Sequence, residues 1–177
     1  MMNIKFNIRN SLNYTLLLFI VLFTNNVWAS TLSLNENENE NELTRHYESL
    51  NAKLSKAKLS KLSNAIQVLI NSETVFEPNS SELKLNKSED FLALIETLKK
   101  YNKNEIIISI HTETDGDAGL NLLVAEKRAA AIEKFLSKEG VKSSRFKCIG
   151  FGEVQPLGTQ SSEHKIQNDR IEFLIIY

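Results

Sequence analysis

The chain has 177 residues, a formal net charge of −1 and 42% hydrophobic residues. That length suits one packed domain with appendages. The charge is close to neutral and no basic stripe is interleaved with aromatics, so no nucleic-acid partner is expected.

Residues 1–29 read as a secretory signal peptide. Lys5 and Arg9 charge its front, and Leu16 to Phe23 is an apolar run too short to span a bilayer core. Val27-Trp28-Ala29 places the cut after Ala29; an uncleaved anchor is the alternative. No cysteine lies near that cut, so lipid attachment there is ruled out. Export to an oxidising compartment follows.

Residues 30–42 contain Asn-Glu repeated through 35–42 and nothing apolar after Leu34, and they read as a solvated linker. Residues 43–66 read as an amphipathic helix. Leu43, Tyr47, Leu50, Leu54 and Ala57 step by four and three, and Lys61 breaks the phase. Such a helix lies on its domain, serves as a spacer, or offers a face to an envelope partner protein; two heptads are few for a dimeric coiled coil.

A globular domain is expected over residues 67–177. Gln67 to Ile70 reads as a strand, extended or resumed by Thr74-Val75-Phe76. Glu77 to Ser81 is turn chemistry. Asn86 is placed to cap a helix with Glu89 as its reciprocal partner, and Phe91, Leu94, Ile95 and Leu98 form its apolar face up to about Tyr101. Ile106 to Ile110 is a strand rich in β-branched residues. A polar loop, His111 to Gly119, carries Glu113, Asp115 and Asp117. A helix follows with Leu122, Ala125, Ala129, Ile132 and Leu136 on one face, and Gly140 stands where a left-handed C′ residue is expected. Arg145 to Ile149 alternates as a strand. After the polar loop 157–167, Ile171, Phe173 and Ile175 face one way in a last strand.

Catalytic and metal chemistry find little support. His46, His111 and His164 lie far apart with no paired spacing, against a zinc site. Aligning the acidic loop as a calcium loop puts His111 first and Leu122 last, and neither supplies the oxygen ligand required. Cys148 lies in an apolar strand, so inert burial is expected. No Ser-His-Asp set or phosphate loop is evident. The chain is read as neither an enzyme nor a cofactor protein.

The order His111-Thr112-Glu113, Gly116, Asn121, Arg128-Ala129 resembles the core motif of the OmpA-like peptidoglycan-binding domain, in which His-Thr-Asp is followed at fixed spacing by Arg-Ala. Val75-Phe76-Glu77 resembles that family's Phe-Asp, Gly150-Phe151-Gly152-Glu153 its Gly-aromatic-Gly-Glu, and Asn168-Asp169-Arg170 its Asn-Arg-Arg. The resemblance covers Gln67 to Tyr177. It implies an α+β fold, a β-α-β-α-β-β sandwich with two main helices on one face of a mixed sheet, preceded here by the N-terminal helix. It implies a periplasmic protein held at the wall or outer membrane, with peptidoglycan as partner. Residues 30–66 are too few and too polar for a transmembrane barrel.

The ligand implied is diaminopimelate of the stem peptide. Its end carries an ammonium and a carboxylate on one carbon, which asks for an acid and a bidentate Arg. Carried over by position these are Glu113 and Arg128, with Phe76, Glu77, Val124 and Asn168 as further ligand contacts. Acids are exchanged within the pattern. Glu replaces Asp at 77 and 113, and Asp169 reverses the charge of an Arg. The extra methylene of Glu113 displaces its carboxylate by about 1.5 Å, so Asp115 is a candidate substitute. Two readings stay open: a wall-binding module, and a structural or protein-interaction relative that has lost wall binding. In the second, Glu113 and Arg128 form a structural ion pair between loop and helix, with no ligand.

Overall fold

Three rows of apolar residues run across the sheet and account for the core. The computed structural model describes residues 35–112, 116–154 and 168–177, with side chains from Glu38 onward. Strands β1 (Lys58–Lys61), β2 (Ala65–Asn71), β3 (Glu105–His111), β4 (Phe146–Gly152) and β5 (Arg170–Ile176) form one sheet in the order β1-β2-β5-β3-β4. Only the β3–β4 pair is parallel. Because side chains alternate with period two, the registers align Ile66 with Ile175 and Ile106, Val68 with Phe173 and Ile108, and Ile70 with Ile171 and Ile110. All nine are buried. Helices α2 (Glu89–Lys100) and α3 (Ala118–Lys138) add Phe91, Leu94, Leu98, Ala125, Ile132 and Leu136 to this cluster. The fold is the expected α+β arrangement of a mixed sheet with packed helices.

The N-terminal region differs from its sequence reading. Helix α1 spans Asn35–Asn51, starting inside the Asn-Glu run placed in a linker and ending well before residue 66. Leu43 and Leu50 are buried in the core cluster, with Tyr47, Leu54 and Ala57 packed against it. A docked segment supplies the nucleus from which a helix propagates, and acids near its N-terminus suit the dipole. The helix stops because its continuation is captured. The N–H groups of Ser55, Lys56 and Ala57 donate to the Asp90 carboxylate, the last two at 2.6 Å. Residues 58–61 then form β1, a lysine-bearing edge strand of the type that resists further pairing. Asn37–Tyr177 is thus one unit and begins well before Gln67; of the other unit, Met1–Glu36, only Asn35 and Glu36 are described. The signal segment and residues 30–34 lie outside the described residues.

Other differences are local. β2 ends at Asn71 and gives way to a 3-10 turn over Ser72–Thr74, so Thr74 to Phe76 is not strand; Phe76 makes an isolated bridge to Leu83. The cap of α2 is Ser88, whose hydroxyl accepts from the Phe91 N–H, and not Asn86. Arg145 is not in β4 but in a 3-10 turn before it, buried, donating to the carbonyls of Leu98, Tyr101 and Asn104. Those carbonyls lie at and just beyond the C-terminal end of α2, where a cation is favoured. Gly140 has φ +90, as expected at C′. Leu122 is 41% exposed and off the buried face of α3, for a reason that belongs to the site.

Candidate functional site

Helix α3 approaches β4 backbone to backbone. A Cβ on Gly150 would stand 2.4 Å from the Glu126 nitrogen, and one on Gly152, whose φ is +59, 3.0 Å from the Leu122 Cα. Only residues without a Cβ admit this approach. It is why Leu122 meets the sheet with its backbone while its side chain stays outside. The contact also fixes the turn of α3 that carries Arg128.

Arg128 is the meeting point of three segments. From the stretch after β2 come Phe76, fully buried, and loop 77–82, which is closed by the Glu77 N–H donating to the Glu82 carbonyl. From α3 comes the guanidinium itself. From the residue just before β5 comes Asp169, whose carbonyl accepts from the Ser72 N–H at 3.0 Å. Arg128 Nε donates to the Ser80 carbonyl at 2.9 Å and Nη1 to Asp169 Oδ1 at 2.6 Å. Its Cζ stands 5.0 Å from the centroid of the Phe76 ring, a cation over an aromatic face. The two side chains of the ion pair are 5% and 13% exposed. Nη2 has no hydrogen-bond partner among the described residues.

The sequence-predicted residues fall unevenly around this point. Phe76 and Arg128 are in contact. Asn168, buried, is the chain neighbour of Asp169, and Val124, half-buried, lies one helical turn before Arg128 on α3. Glu77 is exposed on the loop whose Ser80 binds Arg128. Glu113 and Asp115 lie outside the described residues, as do Gln155-Pro156, the loop 157–167 and His164. Asp169 as the partner of Arg128 was not anticipated from the sequence; the signal was there, a carboxylate where the resembled pattern has a guanidinium. The bracing roles of Gly150 and Gly152 were likewise visible only as a motif.

His111 shapes the base of the acidic loop. It is buried, its ring stacked on Phe151 at a centroid distance of 5.3 Å, and Nδ1 lies 3.0 Å from the Val154 carbonyl. Burial, and then the Arg170 charge, lower its pKa to about 4, against the opposing pull of that carbonyl. The imidazole is therefore neutral at pH 7. The next residue, Thr112, donates its N–H to the Gly152 carbonyl at 2.8 Å, which ties the chain to β4 at the point where it leaves for position 113. Asn121, in the first turns of α3, donates to the Glu153 carboxylate at 3.2 Å. Cys148 is half-buried, and burial first, with Glu133 second, pushes its thiol up to about 12, an inert state. Among the described residues no three His, Cys, Asp or Glu side chains form a metal-sized group. The arrangement offers a buried, oriented guanidinium beside an aromatic ring, which is recognition chemistry for an anion.

Residues 75–170 match the model of the OmpA family. A peptidoglycan-associated lipoprotein from Pseudomonas putida is 30% identical over 55% of this chain and 58% of its own length. A MotB-like protein from Desulfovibrio vulgaris superposes with a TM-score of 0.66 at 19% identity, covering 80% of this chain and 94% of that one. The cell wall anchor of the T6SS from Pseudomonas aeruginosa gives 0.63 at 20% identity, over 76% and 96%. At such identities the two structures speak for the fold alone. The chain spans about half the length, or less, of the curated relatives it matches.

Proposed function

Because this chain belongs to the OmpA family, more than half of it matching that family's model, we propose that it is a non-catalytic module that binds peptidoglycan without covalent attachment, in the periplasm of a Gram-negative bacterium. The observation that carries this reading is Arg128, a nearly buried guanidinium held over Phe76 at the position the motif assigns to ligand binding. A carboxylate is the natural partner of such a group, since an Arg fork holds one in two parallel hydrogen bonds. The diaminopimelate end supplies that carboxylate together with an ammonium, for which Glu113 is the proposed acceptor. Phe76, Glu77, Val124 and Asn168 are proposed as the surrounding contacts. One of the relatives named above is called peptidoglycan-associated, which supports the same reading.

The test is retention of the purified chain on insoluble peptidoglycan. Retention that Arg128→Ala abolishes supports the reading; retention indifferent to Arg128, or none, overturns it. A second reading, an interaction module without wall binding, is favoured by one observation. Arg128 Nη1 is already held by a carboxylate of its own chain. An interaction through the apolar face of α1 is disfavoured, because Leu43 and Leu50 of that face are buried in the core.

A further inference from the structure

Resting on the wall-binding reading, we propose that Asp169 is an internal stand-in for the ligand carboxylate, and that ligand binds Arg128 only by exchanging with it. A guanidinium presents two forked edges, each a pair of parallel N–H groups. Here Nε is committed to the Ser80 carbonyl and Nη1 to Asp169 Oδ1, so each edge has a nitrogen already engaged. Nη2 is the one guanidinium nitrogen without an acceptor among the described residues, so a carboxylate taking either fork meets a nitrogen already engaged. It gains its second hydrogen bond by displacing an existing acceptor. The Ser80 carbonyl is part of the backbone of loop 77–82 and is fixed there. The Asp169 carboxylate is at the end of a rotatable side chain and is the more exposed member of its pair, 13% against 5%. Its anchorage to the fold is through its backbone, whose carbonyl accepts from Ser72. That anchorage survives when the side chain swings away.

The device sets selectivity. A nearly buried cation stripped of its counter-charge is costly, so the empty site keeps a carboxylate on Arg128 at all times. A ligand must bring an equivalent carboxylate to replace it, and a neutral or monodentate group gains nothing. A purely structural pair makes the opposite prediction for the same substitution. If Asp169 only holds Arg128 in place, neutralising it loosens the guanidinium and weakens binding. If Asp169 competes, neutralising it leaves Arg128 in want of a carboxylate and strengthens binding.

The experiment compares the full chain, Asp169→Asn, Asp169→Ser and Arg128→Ala on insoluble peptidoglycan, with circular dichroism to verify the fold. Asn and Ser both keep the backbone contact to Ser72, so one folded variant suffices. The expected result is retention at least threefold tighter in Asp169→Asn than in the natural chain, lost in Arg128→Ala, and accompanied by a lower Tm that added meso-diaminopimelate raises more than it does in the natural chain. Retention by the Asp169 variants alone also supports the exchange, showing a natural chain held closed. Unchanged or weaker retention in a folded Asp169 variant, with Arg128→Ala still abolishing the natural chain's binding, overturns the exchange and leaves the wall-binding reading intact. Retention that ignores Arg128, or none in any variant, overturns both.

Discussion

At the scale of single residues, the geometry of Arg128 makes charge and shape separable. Arg128→Lys keeps the cation but removes the fork, and it also loses the guanidinium's contact over Phe76 and the Nε bond to Ser80. Retention on peptidoglycan is expected to fall nearly as far for Lys as for Ala. A Lys variant that binds like the natural chain would show that only charge matters. Glu113→Asp restores the shorter acid of the family pattern and is expected to tighten retention by two- to tenfold, which the same assay reads. Arg128 was legible in the sequence because a fixed-spacing motif names it. Its partner was not, because Asp169 reaches it across 41 positions and no local periodicity records a contact of that range.

At the scale of elements, the sequence speaks clearly where a face is buried and poorly where a single polar contact decides. The strands β2, β3 and β5 were legible because their alternation matches the burial of the three core rows. The end of α1 was not. The heptad pattern runs on through Leu54 and Ala57, and both do pack against the core, but after the helix has stopped. What stops it is Asp90 on α2, a buried carboxylate that gathers three backbone N–H groups and the Ser55 hydroxyl. Burial alone would raise the pKa of Asp90, yet those hydrogen bonds outweigh it and hold the carboxyl below its usual range. Its contribution is therefore present above the ordinary carboxylate pKa and is lost as pH falls through the depressed one. Asp90→Asn keeps the shape, removes the charge and turns one acceptor into a donor facing other donors. Hydrogen bonds to a charged group contribute about 1.5–3 kcal/mol each, so a loss of about 3 kcal/mol in unfolding free energy is expected. Denaturant unfolding at neutral pH checks it; a loss under about 1 kcal/mol would mean that the 52–57 turn does not depend on Asp90.

At the scale of the whole molecule, the unit that folds is larger than the motif that names the family. Leu43 and Leu50 are 1% and 0% exposed, and β1 covers an edge of β2. A chain cut to 67–177 leaves that surface open. Two buried leucines contribute about 1.5–3 kcal/mol each, a large share of the 5–15 kcal/mol typical of a domain. The 37–177 fragment is expected to melt well above the 67–177 fragment, and equal melting temperatures would contradict the packing of α1.

Acid response is the other property of the whole unit, because two buried histidines act in the same direction. His46 is a buried residue of α1, set against Tyr101 and Tyr177 with Glu42 3.7 Å away, and burial lowers its pKa despite that carboxylate. His111 lies at the far end of β3, facing Arg170 and Glu172 of β5 and the Val154 carbonyl, with its pKa lowered to about 4. A histidine whose folded pKa lies below its unfolded value favours the fold while neutral. That contribution is complete above the unfolded value near 6.5 and drains as pH falls toward the folded one. The loss approaches 1.36 kcal/mol per pH unit below the unfolded value, so His111 alone withdraws about 1.5 kcal/mol between pH 6.5 and 5, a window in which Asp90, held below the usual carboxylate range despite its burial, remains ionised. His111→Gln keeps an acceptor and donor at the site and removes the titration. Urea midpoints at about pH 7 and pH 5 should therefore converge in His111→Gln relative to the natural chain, with the residual fall assigned to His46. An equal fall in both proteins would place the acid sensitivity elsewhere. The consequence reaches the binding site, since His111 anchors the strand end from which the chain departs for Glu113. Mild acid should weaken retention on peptidoglycan before it unfolds the domain, and less so in the Gln variant.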